Sequence, residues 1–331
     1  MCIRTCLCFC LLQCSLLAAV GHAQTTSTSA ALAYPTKPVR FISPFPPGGP
    51  TDLLARPVGA KLQEALGQPF VIDFKSGASG TIGADHVAKS AADGYTLLVI
   101  TASFNTAPSA QSSLPYDTLR DFTGVSPLAR GHVVLIANPR IPASNLKALV
   151  ALAKAQPGKL NYASSGAGGT VHLGMELFKL AAGINMLHVP YKGVGPAQQD
   201  VIGGYVDLMF IGVSPSIGQI KAGKVRALAV ASPQRSAALP DTPTIAEMGY
   251  AKFEIASNYG IVAPAATPRA VVSRLNGALE KILAHADIKK AYAAFGVDPR
   301  WEPAEKFTTW IGEDVARWAA VAKAIDYQPG Y

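Results

Sequence analysis

Cysteine is confined to the extreme N-terminus: Cys2, Cys6, Cys8, Cys10 and Cys14 are the chain's five cysteines. A chain processed beyond them can form neither a disulfide nor a thiolate metal site. Long apolar runs are also missing, since nothing after the N-terminal segment reaches 18 apolar residues and no spanning helix is expected. Clustered charge is missing too. The formal balance is +8, yet the basic residues are scattered and never interleave with aromatics. That pattern argues against nucleic acid and fits a small anionic ligand. The histidines beyond the leader (His86, His132, His172, His188, His285) have no metal-ligand spacing, so neither a metal nor a cofactor is expected.

Motifs for group transfer fail on inspection. Gly218-Gln219-Ile220-Lys221-Ala222-Gly223-Lys224 has most of a phosphate-loop spacing. Val225, however, stands where a magnesium-binding hydroxyl is required, and the order is helix then strand. Gly166-Ala167-Gly168-Gly169-Thr170-Val171 lacks the third glycine of a dinucleotide fingerprint. No Gly-x-Ser-x-Gly elbow exists, because Thr81 interrupts the near case at Ser79.

Residues 1–23 read as a signal peptide: Arg4 precedes an apolar stretch from Leu7 to Val20, and Gly21-His22-Ala23 supplies small residues for cleavage. Ala31-Leu32-Ala33 is a second candidate cut. Leu11-Leu12-Gln13-Cys14 loosely resembles a lipobox, although Gln13 is large for the position before the cysteine; a lipid anchor at Cys14 is the alternative. Residues 24–33, rich in Ser, Thr and Ala, read as a disordered leader.

From Val39 onward apolar strands alternate with amphipathic helices: strands at 39–45, 69–74 and 95–101, helices at 51–66 and 81–91. This rhythm predicts an α/β fold with a parallel sheet covered on both faces. Pro57 implies either a kinked first helix or a helix beginning near 57. A second α/β block has strands at 133–137, 186–189, 206–211 and 225–231, with helices at 144–155, 197–202 and 216–222. An irregular connector (232–250), a strand run at 253–262, a long helical stretch from Pro268 to Phe295 and a terminal helix over 304–325 complete the chain. Phe307, Ile311, Val315, Trp318 and Val321 form one apolar stripe on that last helix.

Two junctions stand out. Phe45-Pro46-Pro47-Gly48-Gly49-Pro50-Thr51-Asp52 and Ser164-Ser165-Gly166-Ala167-Gly168-Gly169-Thr170 each pass from a strand through glycines into a helix. Such turns can present unpaired N–H groups at a positive dipole end, which suits an anion. A third glycine-rich turn, Lys75-Ser76-Gly77-Ala78-Ser79-Gly80, is either a cleft wall or a tight turn. Ser164, Ser165 and His172 could also be cast as nucleophile and base.

These junctions occur in order with Asp93-Gly94-Tyr95-Thr96-Leu97, Leu160-Asn161-Tyr162-Ala163, His188-Val189-Pro190-Tyr191-Lys192-Gly193, Ala222-Gly223-Lys224-Val225-Arg226 and Leu239-Pro240-Asp241-Thr242-Pro243. Together they resemble the Bug family, the substrate-binding receptors of tripartite tricarboxylate transporters, over about residues 35–325. The resemblance implies a type II periplasmic-binding-protein-like fold, two α/β lobes around a central ligand cleft, with lobe 1 at 34–133 and 252–331 and lobe 2 at 134–251. It implies a periplasmic, monomeric, non-enzymatic receptor that closes on a small organic carboxylate and passes it to inner-membrane permease subunits. Transferred by position, one jaw is Phe45, Gly48, Gly49, Thr51 and Asp52, with Asp52 serving as a helix-start residue more than a direct contact. The other is Ser164, Ser165, Gly166, Thr170 and His172, with Ser79 on a side wall.

Two departures bear on the ligand. Phe74, Ser76 and Ser79 replace an Asn, a Pro and a Gly of the family's third junction. Ser214 follows Met209-Phe210-Ile211-Gly212-Val213 where the family often has Asp-Asn. With no acid there to balance an ammonium, the expected ligand is a carboxylate without an amine. A membrane sensor's ligand receptor and a hydrolase using Ser165 and His172 are the rival readings.

Overall fold

The computed structural model describes residues 34–191, 193–251 and 253–329. The signal peptide, leader, cleavage and lipidation expectations all lie outside the described residues. The fold is α/β, and its sheet is mixed.

The first block runs β1 (Val39–Ser43), α1 (Pro50–Leu66), β2 (Phe70–Phe74), α2 (Thr81–Ala88), β3 (Thr96–Thr101) and α3 (Ala102–Ala110). β1 lies between β2 and β3, all parallel, with Phe41 opposite both Ile72 and Leu97. Alternate residues of β1 point into different cores. Phe41 packs with Leu54, Val58 and Leu62 of α1, whereas Ile42 packs with Ala84 and Val87 of α2. Helices on both faces explain why these strands are largely apolar, with Arg40 of β1 and Asp73 of β2 paired to each other. α1 starts at Pro50 and ends at Gly67, whose φ of 77° caps it in the left-handed region, so Pro57 sits inside the helix.

β4 (Phe122–Ala137) is much longer than the strand at 133–137 that the sequence suggests. Gly124, Pro127 and Gly131 disguise its first half. One of those glycines has a packing reason: a Cβ at Gly124 would lie 2.8 Å from the Phe307 ring. Residues 122–132 of β4 pair antiparallel with β9 (Ala256–Pro264), and residues 133–137 pair antiparallel with β7 (Leu208–Gly212). The remaining elements are α4 (Leu146–Ala155), β5 (Asn161–Ser164), α5 (Thr170–Ala182), β6 (Leu187–Pro190), α6 (Val194–Gly203), α7 (Val213–Lys221) and β8 (Arg226–Val230). β5 is parallel to both β6 and β7, while β8 joins β4 antiparallel. The parallel expectation therefore holds within each set of three strands, and β4 and β9 run against it.

After β9 come α8 (Arg269–Ala284), α9 (Ala286–Ala294), β10 (Val297–Pro299) and α10 (Ala304–Ala324). The single helix expected from Pro268 to Phe295 is broken at His285, whose ψ of 140° takes the backbone out of the helical region. α10 is 21 residues long and enters two cores. Phe307, Ile311 and Val315 pack with Ile42, Leu98 and Val262, whereas Trp318 and Val321 pack with Leu173, Met175 and Phe210. The two passages between the strand sets lie side by side, since Ala231 N–H donates to Val133 O and Ile255 N–H to Ala231 O, each at 2.7 Å. Among the described residues no helix is long and apolar enough to cross a membrane.

Candidate functional site

A cavity of about 490 Å³ opens between the two strand sets. One wall carries Phe45, Ser79 and the first turns of α3 (Thr101, Ser103, Thr106); the other carries the Ser165–Gly169 loop, Thr170 and the starts of α6 and α7. Ala256, Ser257 and Tyr259 of the second passage complete the lining. The volume suits a small organic molecule. None of the described lining residues is Asp, Glu, Lys, Arg or His.

What that lining offers instead is helix starts. α5, α6 and α7 begin after Gly169, Gly193 and Gly212, none of which supplies a side-chain cap, and all three glycines face the cavity. Their first-turn N–H groups have no intrahelical partner and lie at the positive dipole end. α3 starts on the opposite wall, where the Thr101 hydroxyl accepts from Ser103 N–H and lies 2.7 Å from the Ser103 hydroxyl. N–H donors at helix starts, backed by hydroxyls, are chemically able to receive an oxyanion without an arginine.

The glycine loop at 165–169 is held from behind by a buried polar stack. The Ser164 hydroxyl donates to the Gly166 carbonyl at 3.0 Å and lies 2.7 Å from His188 Nε2. His172 Nδ1 accepts the Gly168 N–H at 3.0 Å. The His172 and His188 rings stack 3.9 Å apart, with Tyr162 stacked on His188. Burial, with His188 as the second cause, pushes His172 down to about 4, and burial lowers His188 as well. A neutral ring is what the loop requires, because Nδ1 can accept the Gly168 N–H only while unprotonated. On the far side Asn105 of α3 donates to Asp314 at 2.9 Å, Arg317 pairs with Asp314 and donates to the Glu254 carbonyl, and Arg130 pairs with Glu254. The cleft helix α3 is thus tied to α10 and to both passages. Among the described residues no cluster of His, Cys, Asp and Glu is arranged to hold a metal ion.

Against known proteins, residues 54–327 match the model of the tripartite tricarboxylate transporter family receptor. The chain belongs to that receptor family. It is 39% identical to protein BugT of Bordetella pertussis over 292 residues, covering 88% of this chain and 90% of BugT. The structure of Rpa4515 from R. palustris with adipate superposes with a TM-score of 0.78 at 36% identity, covering 88% of this chain and 98% of that one. MatC from Rhodopseudomonas palustris with bound malate gives a TM-score of 0.74 at 31% identity, covering 87% of this chain and 99% of MatC.

In this tripartite tricarboxylate transporter receptor the residues singled out from sequence fall into two groups. Phe45, Ser79, Ser165, Gly166 and Thr170 line the cavity. Gly48, Gly49, Thr51, Asp52, Ser164, His172 and Ser214 lie outside its lining, and each has another occupation. Asp52 is buried, accepts the Gly48 N–H at 2.9 Å and pairs with Arg56, so the first helix start is already neutralised by its own carboxylate. Thr51 is buried against the Ser43 hydroxyl at 2.8 Å. Gly49 closes the turn on the Pro46 carbonyl. Ser164 and His172 are the loop's internal supports described above. Ser214 packs against Gly296, where a Cβ would lie 2.7 Å from its own.

Thr101 and Ser103, together with Gly193 and Gly212, are the contributors that sequence reasoning passed over. The Thr-x-Ser capping pattern after an apolar strand was the available signal for the first pair. Gly193 and Gly212 lie within segments that the sequence singles out, but a glycine just before a short helix does not by itself reveal that it faces a cavity.

Proposed function

We propose that this receptor works in the periplasm, capturing a small organic carboxylate between two lobes and delivering it to tripartite tricarboxylate-type permease subunits in the inner membrane. The lobes are residues 34–133 with 252–331, and residues 134–251. The observation that carries the reading is the convergence of three glycine-capped helix starts and the Thr101 cap on one cavity. A carboxylate there accepts backbone N–H groups in short charge-assisted bonds. A ligand touching both walls stabilises the closed arrangement in proportion to the contacts it gains only on closure. Relatives solved with adipate and with malate support the same ligand chemistry.

Hydrolysis is disfavoured by the same geometry. Among the described residues the Ser–His pair near the loop is Ser164 with His188, and Ser164 is fully buried, while His172 has committed Nδ1 to Gly168. The deciding experiment is calorimetric titration of the purified, ligand-stripped receptor with malate, adipate and monocarboxylates, followed by mass spectrometry of the released compound. Saturable binding with recovery of the unaltered carboxylate is expected. Binding of none, or product formation that Ser165→Ala abolishes, overturns the reading.

A further inference from the structure

Charge is unevenly divided along the chain. Residues 134–251 hold ten Lys and Arg against five Asp and Glu, and so carry +5 of the formal +8. Several of those cations gather at one end of the second strand set. β4 and β7 pair from Val133 with Gly212, at the cleft, to Ala137 with Leu208 at the far end. That run of strand spans about 13 Å. Arg226 of β8, Asn161 of β5 and Leu187 of β6 start their strands at the same far end. The turns there hold one another. Arg140 donates to the Gly203 carbonyl, Arg226 to the Ile141 and Ala143 carbonyls, and Gly158 N–H to the Asn185 carbonyl. Arg140, Leu160, Gly204 and Asp207 line a depression of about 220 Å³ among them.

Arg140, Lys159, Lys221, Lys224 and Arg226 belong to this end, and among the described residues none of them forms an ion pair. The acids here are committed elsewhere: Asp207 accepts the Asn161 N–H and Asp200 the Tyr191 hydroxyl. Tyr205 is 80% exposed, Leu187 58% and Leu180 55%; these are three of the seven large apolar side chains left exposed among the described residues. Scattered singly, such side chains are ordinary. Gathered beside unpaired cations, they mark a contact surface. Cations spread over three turns, with apolar side chains standing out among them, match a broad anionic plane better than an acidic segment seated in a groove. Tyrosine suits the headgroup level of a bilayer, and nearby Lys and Arg are attracted to anionic lipid. We propose that this end of the molecule docks on the anionic headgroups of a lipid bilayer, with the cleft at the opposite end of the same strands and clear of the surface. The docking does not depend on what the cleft holds; its use, keeping the receptor in the plane of a permease, rests on the transport reading above.

Co-sedimentation of the purified receptor with lipid vesicles tests it. Vesicles of equimolar phosphatidylglycerol and phosphatidylcholine should retain the protein at about 50 mM NaCl and release it at about 500 mM, and pure phosphatidylcholine should not bind it. Lys221→Glu combined with Lys224→Glu should weaken binding at least about thirtyfold. Lys289→Glu combined with Lys290→Glu makes the same change of net charge at exposed positions of α9, which packs on α1 through Tyr292. That pair should weaken binding less than about threefold. All these lysines are exposed, so both variants should melt with the wild type. No binding of the wild type to the anionic vesicles, equal binding to both kinds of vesicle, or equal losses from the two lysine pairs overturns the inference. Absence of vesicle binding together with retention on immobilised polyglutamate assigns the surface to an acidic protein instead and overturns it equally. Neither result bears on malate binding, which remains the separate test of the cleft.

Discussion

Substituting Gly168 by alanine tests a close approach between the glycine loop and the end of α3. Gly168 lies at φ 74°, and a Cβ there would sit 2.6 Å from Ala110 Cβ at the end of α3 and 2.8 Å from the Tyr327 hydroxyl. Two penalties add: the left-handed backbone costs an alanine about 1–2 kcal/mol, and overpacking against neighbours that cannot withdraw costs about 1–3 kcal/mol. Ala110 belongs to a helix and Tyr327 is pinned edge-on to His172 at 5.6 Å, so neither gives way freely. The sum, about 2–5 kcal/mol, corresponds to a Tm lower by about 3–8 °C for a chain of this size. Gly168→Ala should also weaken malate binding, because the loop that bears Gly166 and Gly169 is displaced. A double-mutant cycle with Ala110→Gly isolates the steric part, and a favourable coupling of about 1 kcal/mol or more is expected by chemical denaturation. Should Gly168→Ala melt within about 1 °C of wild type, or the cycle give no coupling, the close packing of α3 on the glycine loop is refuted.

Two further outcomes follow from the site. His172, pushed down to about 4 inside the protein, returns to about 6.5 in the unfolded chain. The unfolded chain then takes up the proton first, so stability is full above about pH 6.5 and falls toward pH 4, by about 2 kcal/mol at pH 5. Urea midpoints at pH 7.5 and pH 5 should diverge for wild type and less so for His172→Gln; equal wild-type midpoints refute the assignment. Asp52→Ala strips the anion from the start of α1 and should cost about 1–2 kcal/mol of stability. Its malate affinity should stay within twofold of wild type, and a tenfold loss would place Asp52 at the ligand instead.

The strand–helix alternation of the first block was legible because β1 and β3 are apolar on both faces and α1 is amphipathic from Leu54 to Leu62. The second glycine junction was legible for a similar reason: Ser165, Gly166 and Thr170 lie where a strand gives way to a helix. The first half of β4 was not. Its glycines read as loop until Phe307, distant in sequence, is seen packed on Gly124 and Gly260. α3 was hidden by Pro108 and a polar composition that suits a cleft wall better than a core. Asp52, Ser164 and His172 lie in or beside the glycine loops and serve them internally. Sequence position cannot distinguish a residue that faces a cavity from one that shapes the loop lining it.

The last helix places a mechanical condition on any opening of the cleft. A receptor joined only by two strands could swing like a door, but here a third member, rooted through Phe307 and Ile311 at one end and Trp318 and Val321 at the other, crosses the same gap. Parting the two halves therefore requires that helix either to leave one of its two cores or to bend between them.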